Sequence, residues 1–185
     1  MQLQSALQFS HTLLEQVVNP GDIVVDATAG MGHDTLKLAQ LVGTTGHVYS
    51  FDIQAPAVMA TKAKLAEAGY HNATVFQQGH EQLDEMVAGP ITAAIFNLGY
   101  LPRGDHALIT QPKTTLNALQ KCLELLAPKG VVVVVCYYGH PGGATEKTAV
   151  LAWAAQLPQA EFNVLQYQFL NQVHEPPILL AIQKR

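Results

Sequence analysis

Apolar residues recur along the chain in two alternating patterns. Short runs rich in β-branched side chains predict strands at 23–26, 46–52, 73–77, 91–96, 131–136, 162–170 and 178–183. Between them, apolar residues spaced three and four apart predict helices. The first covers 3–18, with Leu3, Leu7, Leu13, Leu14, Val17 and Val18 forming a stripe. Others fall at about 32–42, 55–68, 80–87, 110–126 and 145–156. Breakers separate these elements: Asn19-Pro20-Gly21-Asp22 stops the first helix, and Gly43 and Gly69 stop the second and third. Strands that alternate with helices form a mostly parallel sheet covered on both faces. The last two strands have no helix between them and should pair antiparallel. The expected architecture is α/β and doubly wound, a single domain over 1–185 with helix 3–18 packed on it.

Composition narrows this further. A hydrophobic content of 49% with 13% charged residues indicates a packed globular chain rather than a disordered one. No apolar run approaches the ~20 residues of a membrane span, and Met1 to Glu15 lacks the layout of a secretory signal. A cytoplasmic protein is expected. Cys122 and Cys136 fit neither a disulfide framework nor a zinc pattern, so they are expected as reduced core thiols, with no metal. The net charge of −4 disfavours generic polyanion binding. A structured RNA could still dock on a local basic patch or across two subunits.

Candidate chemistry gathers at the strand ends, where open α/β sheets bind ligands. Ile23-Val24-Val25-Asp26 runs into Ala27-Thr28-Ala29-Gly30-Met31-Gly32-His33-Asp34-Thr35, a strand, a glycine turn and the start of a helix. Gly30 and Gly32 allow close approach of backbone to ligand, and the free N–H groups of the helix face it. Asp26 would repel a pyrophosphate and welcome a cation. Thr35 stands where a dinucleotide fingerprint wants its third glycine. Both features favour S-adenosylmethionine, with its ammonium and sulfonium, over a nicotinamide dinucleotide. Asp52, ending the second strand beside Ile53, is placed to accept ribose hydroxyls, though a dinucleotide fold uses an acid there too. His80, after the third strand, lies where adenine contacts are expected, or caps the next helix. His33 and Asp34 open the first helix of the sheet; Asp34 suits the helix dipole and equally suits the amino-acid end of the cofactor.

Asn97-Leu98-Gly99-Tyr100, at the end of the fourth strand, resembles the Asn-Pro-Pro-Tyr element of nitrogen methyltransferases. An amine must present its lone pair in line with the sulfonium methyl; the Asn97 carboxamide oxygen can accept its hydrogens, and Tyr100 can stack on a base or face a developing cation. Asp105, His140 and Glu146 are candidates for a base that takes the proton of an ammonium acceptor.

Several segments together resemble a family of small class I methyltransferases long called putative rRNA methylases. They are Ser10-His11 with Leu13-Leu14, Asp26 through Thr35, Asn97 through Pro102, Gly104-Asp105, Tyr138 through Gly143 with Glu146, and Asn171 with Pro176-Pro177. Met31 departs from the asparagine usual in the family. The resemblance implies a Rossmann-like class I methyltransferase fold with a seven-stranded, mostly parallel sheet and an antiparallel last strand. It implies a tRNA-modifying homodimer that methylates the amine of 5-aminomethyl-(2-thio)uridine at the wobble position. Arg103, Lys113 and Lys147 would then be candidates for phosphate contacts. The competing expectations are an rRNA or small-molecule methyltransferase with the same cofactor residues, a nicotinamide oxidoreductase, and a non-catalytic binding module.

Overall fold

A computed structural model of the chain describes residues 2–99 and 109–185. Its strands are β1 (Ile23–Asp26), β2 (His47–Phe51), β3 (Ala73–Phe76), β4 (Ile91–Leu98), β5 (Leu126–Cys136), β6 (Phe162–Tyr167) and β7 (Ile178–Lys184). Its helices are α1 (Ala6–Val17), α2 (His33–Val42), α3 (Ala55–Glu67), α4 (Leu83–Met86), α5 (Pro112–Leu125) and α6 (Gly143–Ala154), with a 3-10 turn at His80–Gln82 ahead of α4. The strands form one sheet in the order β3-β2-β1-β4-β5-β7-β6. From β3 to β5 all neighbours are parallel, whereas β7 runs antiparallel to both β5 and β6. The chain winds outward from β1 to β3 and then returns to β4, so the strand order reverses between β1 and β4. That reversal opens a crevice at the carboxyl ends of these two strands.

Successive strand residues face opposite sides, and both sides are covered, which is why the runs are apolar without alternation. Val25, Ala94, Phe96, Val132 and Val134 pack with Leu119, Cys122 and Leu123 of α5 and Val150 of α6. Val24, Ala93, Ile95, Val133 and Val135 pack with Leu14 of α1, Leu38 of α2 and Leu65 of α3. Full burial of each such Val, Leu, Ile or Phe contributes roughly 1.5–3 kcal/mol. Burial also pushes the Cys122 and Cys136 thiols up, the latter to about 12, so both remain protonated in the core.

Some boundaries move for identifiable reasons. The first helix starts at Ala6 because Ser5 forms a capping box, its hydroxyl accepting the Gln8 N–H and Gln8 Oε1 accepting the Ser5 N–H. Ala6, Ser10 and Leu14 then face the sheet, where α1 packs against β5 and β7. α5 starts at Pro112, which suits a first helical position. The strand expected to reach 170 ends at Tyr167. β4 extends to Leu98, so Asn97 is held in the sheet, paired with Val135, rather than in the loop after it. No helix among the described residues is long and apolar enough to cross a membrane.

Candidate active site

β1 ends between β2 and β4, and its last residue is sealed. Asp26 has no exposed surface. Its Oδ1 accepts the Thr28 N–H at 3.1 Å and its Oδ2 accepts the Thr35 hydroxyl at 2.6 Å. Thr35 Oγ1 in turn lies 2.9 Å from Ser50 Oγ on β2. Burial, and then the nearby Asp34 carboxylate, push the pKa of Asp26 up to about 7. Neither Asp26 nor Thr35 is among the described residues that line the two cavities flanking this turn. In this structure Asp26 ties the glycine turn to α2 from behind, and Thr35 stands in the place of a third glycine with the hydroxyl that Asp26 Oδ2 accepts. Gly32 is in the left-handed region at φ 75°, and a Cβ there would come within 2.8 Å of the Thr61 Cα. Only glycine fits between α2 and α3.

Two cavities flank the turn and share Thr28, Gly30, Asn97 and Gly99. The first, of about 290 Å³, lies over the ends of β2 and β3. Asp52 reaches it with Oδ2 accepting the Gly30 N–H and Oδ1 accepting the Gln54 N–H, each at 2.9 Å, which leaves each oxygen a further lone pair. Ile53 offers an exposed apolar face beside it. His80 Nδ1 lies 3.0 Å from the Ala27 carbonyl, which can only accept, so Nδ1 carries the hydrogen. Burial holds the pKa of this ring below the usual imidazole value. The neutral ring thus keeps Nε2 as an acceptor, and neither it nor the buried Gln78 Oε1 has a partner among the described residues. Two unpaired acceptors in one cavity suit a ligand with an amino group.

The second cavity, of about 530 Å³, lies over the ends of β1, β4 and β5. Asp34 stands on its wall between two donors: His11 Nε2 is 2.6 Å from Oδ1, and Asn97 Nδ2 is 2.6 Å from Oδ2. An ionised carboxylate only accepts, so the Asn97 amide must turn its NH2 to Asp34, leaving Oδ1 as an open acceptor. The Asn97 backbone N–H is held by Thr28 Oγ1 at 2.7 Å, which couples the strand to the glycine turn. His33 also lines this cavity, with Lys64 Nζ 2.9 Å from its Nδ1. Tyr137, His140 and Glu175 complete the far wall, and no Lys or Arg lines the cavity among the described residues.

The remaining candidates separate. His140 belongs to the cavity wall, its Nδ1 3.1 Å from the Pro141 carbonyl. Glu146 lines neither cavity; it is buried, accepting the Thr110 hydroxyl at 2.5 Å and the Thr115 hydroxyl at 2.6 Å. Thr110 Oγ1 also accepts the Gly99 N–H, so Glu146 braces the end of β4 from behind. Lys147 Nζ sits 3.4 Å from the Tyr138 ring centroid, and Lys113 is exposed on the first turn of α5. Tyr100, Arg103 and Asp105 lie outside the described residues. Sequence reasoning gave no site role to His11, Gln78, Tyr137 or Glu175. For His11 the available signals were its position four residues from Leu7 on the flank of the α1 stripe and its place in the Ser10-His11 segment of the family resemblance. No group of three or more His, Cys, Asp or Glu side chains that could hold a metal ion occurs among the described residues.

The chain is similar to known proteins in sequence and in fold. A putative rRNA methylase family model matches residues 48–183. The tRNA (mnm(5)s(2)U34)-methyltransferase, chloroplastic, of Arabidopsis thaliana is 34% identical over 98% of this chain and 70% of its own length. Among solved structures, a putative rRNA methylase from Clostridium thermocellum is 42% identical, superposes with a TM-score of 0.98 and covers all of both chains. A putative methyltransferase from Streptococcus mutans in complex with SAH is 41% identical, with a TM-score of 0.93 over all of both chains. With the family model, the plant relative and the whole-chain superpositions in agreement, the chain belongs to the putative rRNA methylase family.

Proposed function

We propose that this S-adenosylmethionine-dependent methyltransferase acts on tRNA, and that its acceptor is the amine of 5-aminomethyl-(2-thio)uridine at the wobble position. The observation that carries the amine is the orientation of Asn97. Asp34 fixes the carboxamide so that Oδ1 can accept amine hydrogens, in a cavity lined by Asp34 and Glu175 and by no Lys or Arg among the described residues. Such a wall favours a cationic or hydrogen-rich acceptor. The likeness to a U34 methyltransferase over nearly the whole chain supports tRNA as its carrier.

The residues present fit the cofactor. Gly30, Gly32 and the N-terminus of α2 would cradle its amino-acid end, with Thr28, His33 and Asp34 beside it. Asp52 would accept its ribose hydroxyls, Ile53 would cover the base, and the unpaired His80 Nε2 and Gln78 Oε1 would accept the adenine amino hydrogens. When bound, S-adenosylmethionine supplies a methyl group made electrophilic by its sulfonium. Asn97 Oδ1 then orients the acceptor nitrogen, and that alignment is where such an active site gains most of its rate. Tyr100 would stack on the uracil. The His140 loop closes the wall, and Asp105 remains the candidate for the proton acceptor. Glu146 acts through Thr110 on the end of β4 rather than on the substrate. Arg103, Lys113 and Lys147 would meet tRNA phosphates, Lys147 by leaving the Tyr138 ring. The enzyme would work as a homodimer, for which the edge strand β6, with Val164 and Leu165 exposed on its two opposite sides, is the candidate surface.

Hydrolysates of tRNA from a deletion strain test the substrate. The unmethylated aminomethyluridine should accumulate at the expense of its methylaminomethyl form. An unchanged level of the methylated nucleoside would overturn this acceptor, and loss of a methyl group from rRNA instead would favour the rRNA alternative.

A further inference from the structure

α1 precedes the first strand of the sheet, yet it contributes a side chain to the second cavity. His11 is on the helix flank, and its ring reaches the Asp34 carboxylate at the first turn of α2. The pair is partly shielded, with the side chains 26% and 12% exposed. Both bonds to Asp34 must come from donors, Nε2–H of His11 and Nδ2–H of Asn97. His11 therefore occupies the one carboxylate oxygen that Asn97 does not. With that oxygen released, the carboxylate is free to turn about its broad terminal torsion, and the constraint that keeps Asn97 Oδ1 toward the cleft is weakened. Around this chain, Glu15 and Lys37 pair with each other and Lys64 is with His33. Tyr137, His140 and Glu175 stand across the cavity.

We infer that His11 is a positioning residue of the methyl transfer, acting through Asp34 to hold the Asn97 carboxamide toward the acceptor nitrogen. α1 is then part of the active site as well as a cover for the sheet. The role in transfer rests on the amine-acceptor reading; the effect on Asn97 does not.

The test uses the full chain with His11→Ala and His11→Gln, the glutamine being able to present an N–H to Asp34. The first readout is the 15N-resolved side-chain amide of Asn97, in protein alone. The wild type should show two well-separated proton shifts and slow solvent exchange; His11→Ala should bring them together and speed exchange, and His11→Gln should restore them. Asp34→Ala, which leaves α1 intact and removes both acceptor oxygens, should collapse the same signal, and His11→Phe, a ring with no N–H, replaces His11→Ala in the test if that variant does not fold. The second readout is calorimetric affinity for S-adenosylhomocysteine, expected to change less than about threefold in His11→Ala. The third is single-turnover methylation of tRNA bearing the aminomethyl nucleoside, expected to fall about 10–100-fold in His11→Ala and to recover in His11→Gln. An Asn97 amide signal that ignores His11 overturns the inference, as does a loss of cofactor affinity that matches the loss of rate. If the wild type does not methylate this tRNA, the acceptor assignment fails, while the amide signal still decides the role of His11.

Discussion

Asp26 and Asp34 stand on opposite sides of one glycine turn, and each accepts two hydrogen bonds at its two oxygens. Their surroundings give them different work. Asp26 is enclosed by β2, β4 and α2, its donors are Thr28 and Thr35 from the turn and helix beside it, and burial raises its pKa to about 7. Asp34 faces the larger cavity, and its donors, His11 and Asn97, arrive from α1 and β4. The buried carboxylate fixes the backbone that cradles a ligand. The open one fixes the side chains that meet it. A carboxylate after a strand is thus not a ligand contact by residue type; what encloses it decides.

Breaking the open side should have the largest effect on activity. Asn97→Ala removes the acceptor-orienting oxygen and should lower kcat by about 100-fold, with S-adenosylhomocysteine affinity held within a few-fold. An equal loss of affinity and rate in calorimetry and single-turnover assays would move Asn97 to the cofactor alone. Breaking the sealed side should appear as stability. Thr35→Val leaves the buried Asp26 oxygen without its donor and should cost about 1–3 kcal/mol in denaturant unfolding.

A smaller effect sharpens the contrast through pH. The carboxyl of Asp26 has its folded pKa raised to about 7 from an ordinary 3.8, so between those values the folded chain holds a proton that the unfolded chain releases. The stabilisation from this group is full at the acid end and is lost as pH rises through about 7. Asp26→Asn should flatten that part of the stability profile between about pH 4 and pH 7, as read from urea midpoints. A variant as pH-dependent as the wild type would mean that another group sets the slope. The smallest effect belongs to Glu175, at the rim of the larger cavity and exposed. Glu175→Gln should raise KM for the tRNA a few-fold, an effect weakened by salt, as expected for a solvent-screened charge. An unchanged KM at low salt would remove Glu175 from acceptor recognition.

Much of this arrangement was legible in the residues. Val131 to Cys136 could only be a strand covered on both faces, and the polar residues after the buried runs marked the carboxyl ends where both cavities open. Asp52, Ile53, His80 and Asn97 all line a cavity from positions that a strand-end argument can reach. The fate of Asp26 was not legible, because its enclosure depends on Ser50 and Thr35 meeting across two elements. His11 was missed for a similar reason: its partner lies on α2, and helix–helix placement does not follow from either helix's own periodicity. Glu146 had a suggestive position but turned inward, since Thr110 and Thr115 offer hydroxyls to a carboxylate that would otherwise be buried without partners.

The most direct measurement is to incubate the purified enzyme with labelled S-adenosylmethionine and tRNA from a deletion strain, then resolve the nucleosides by mass spectrometry. Label is expected in 5-methylaminomethyl-(2-thio)uridine, with little or none when Asn97→Ala replaces the wild type. Label in any other nucleoside, or none with the wild type, would contradict the proposed acceptor.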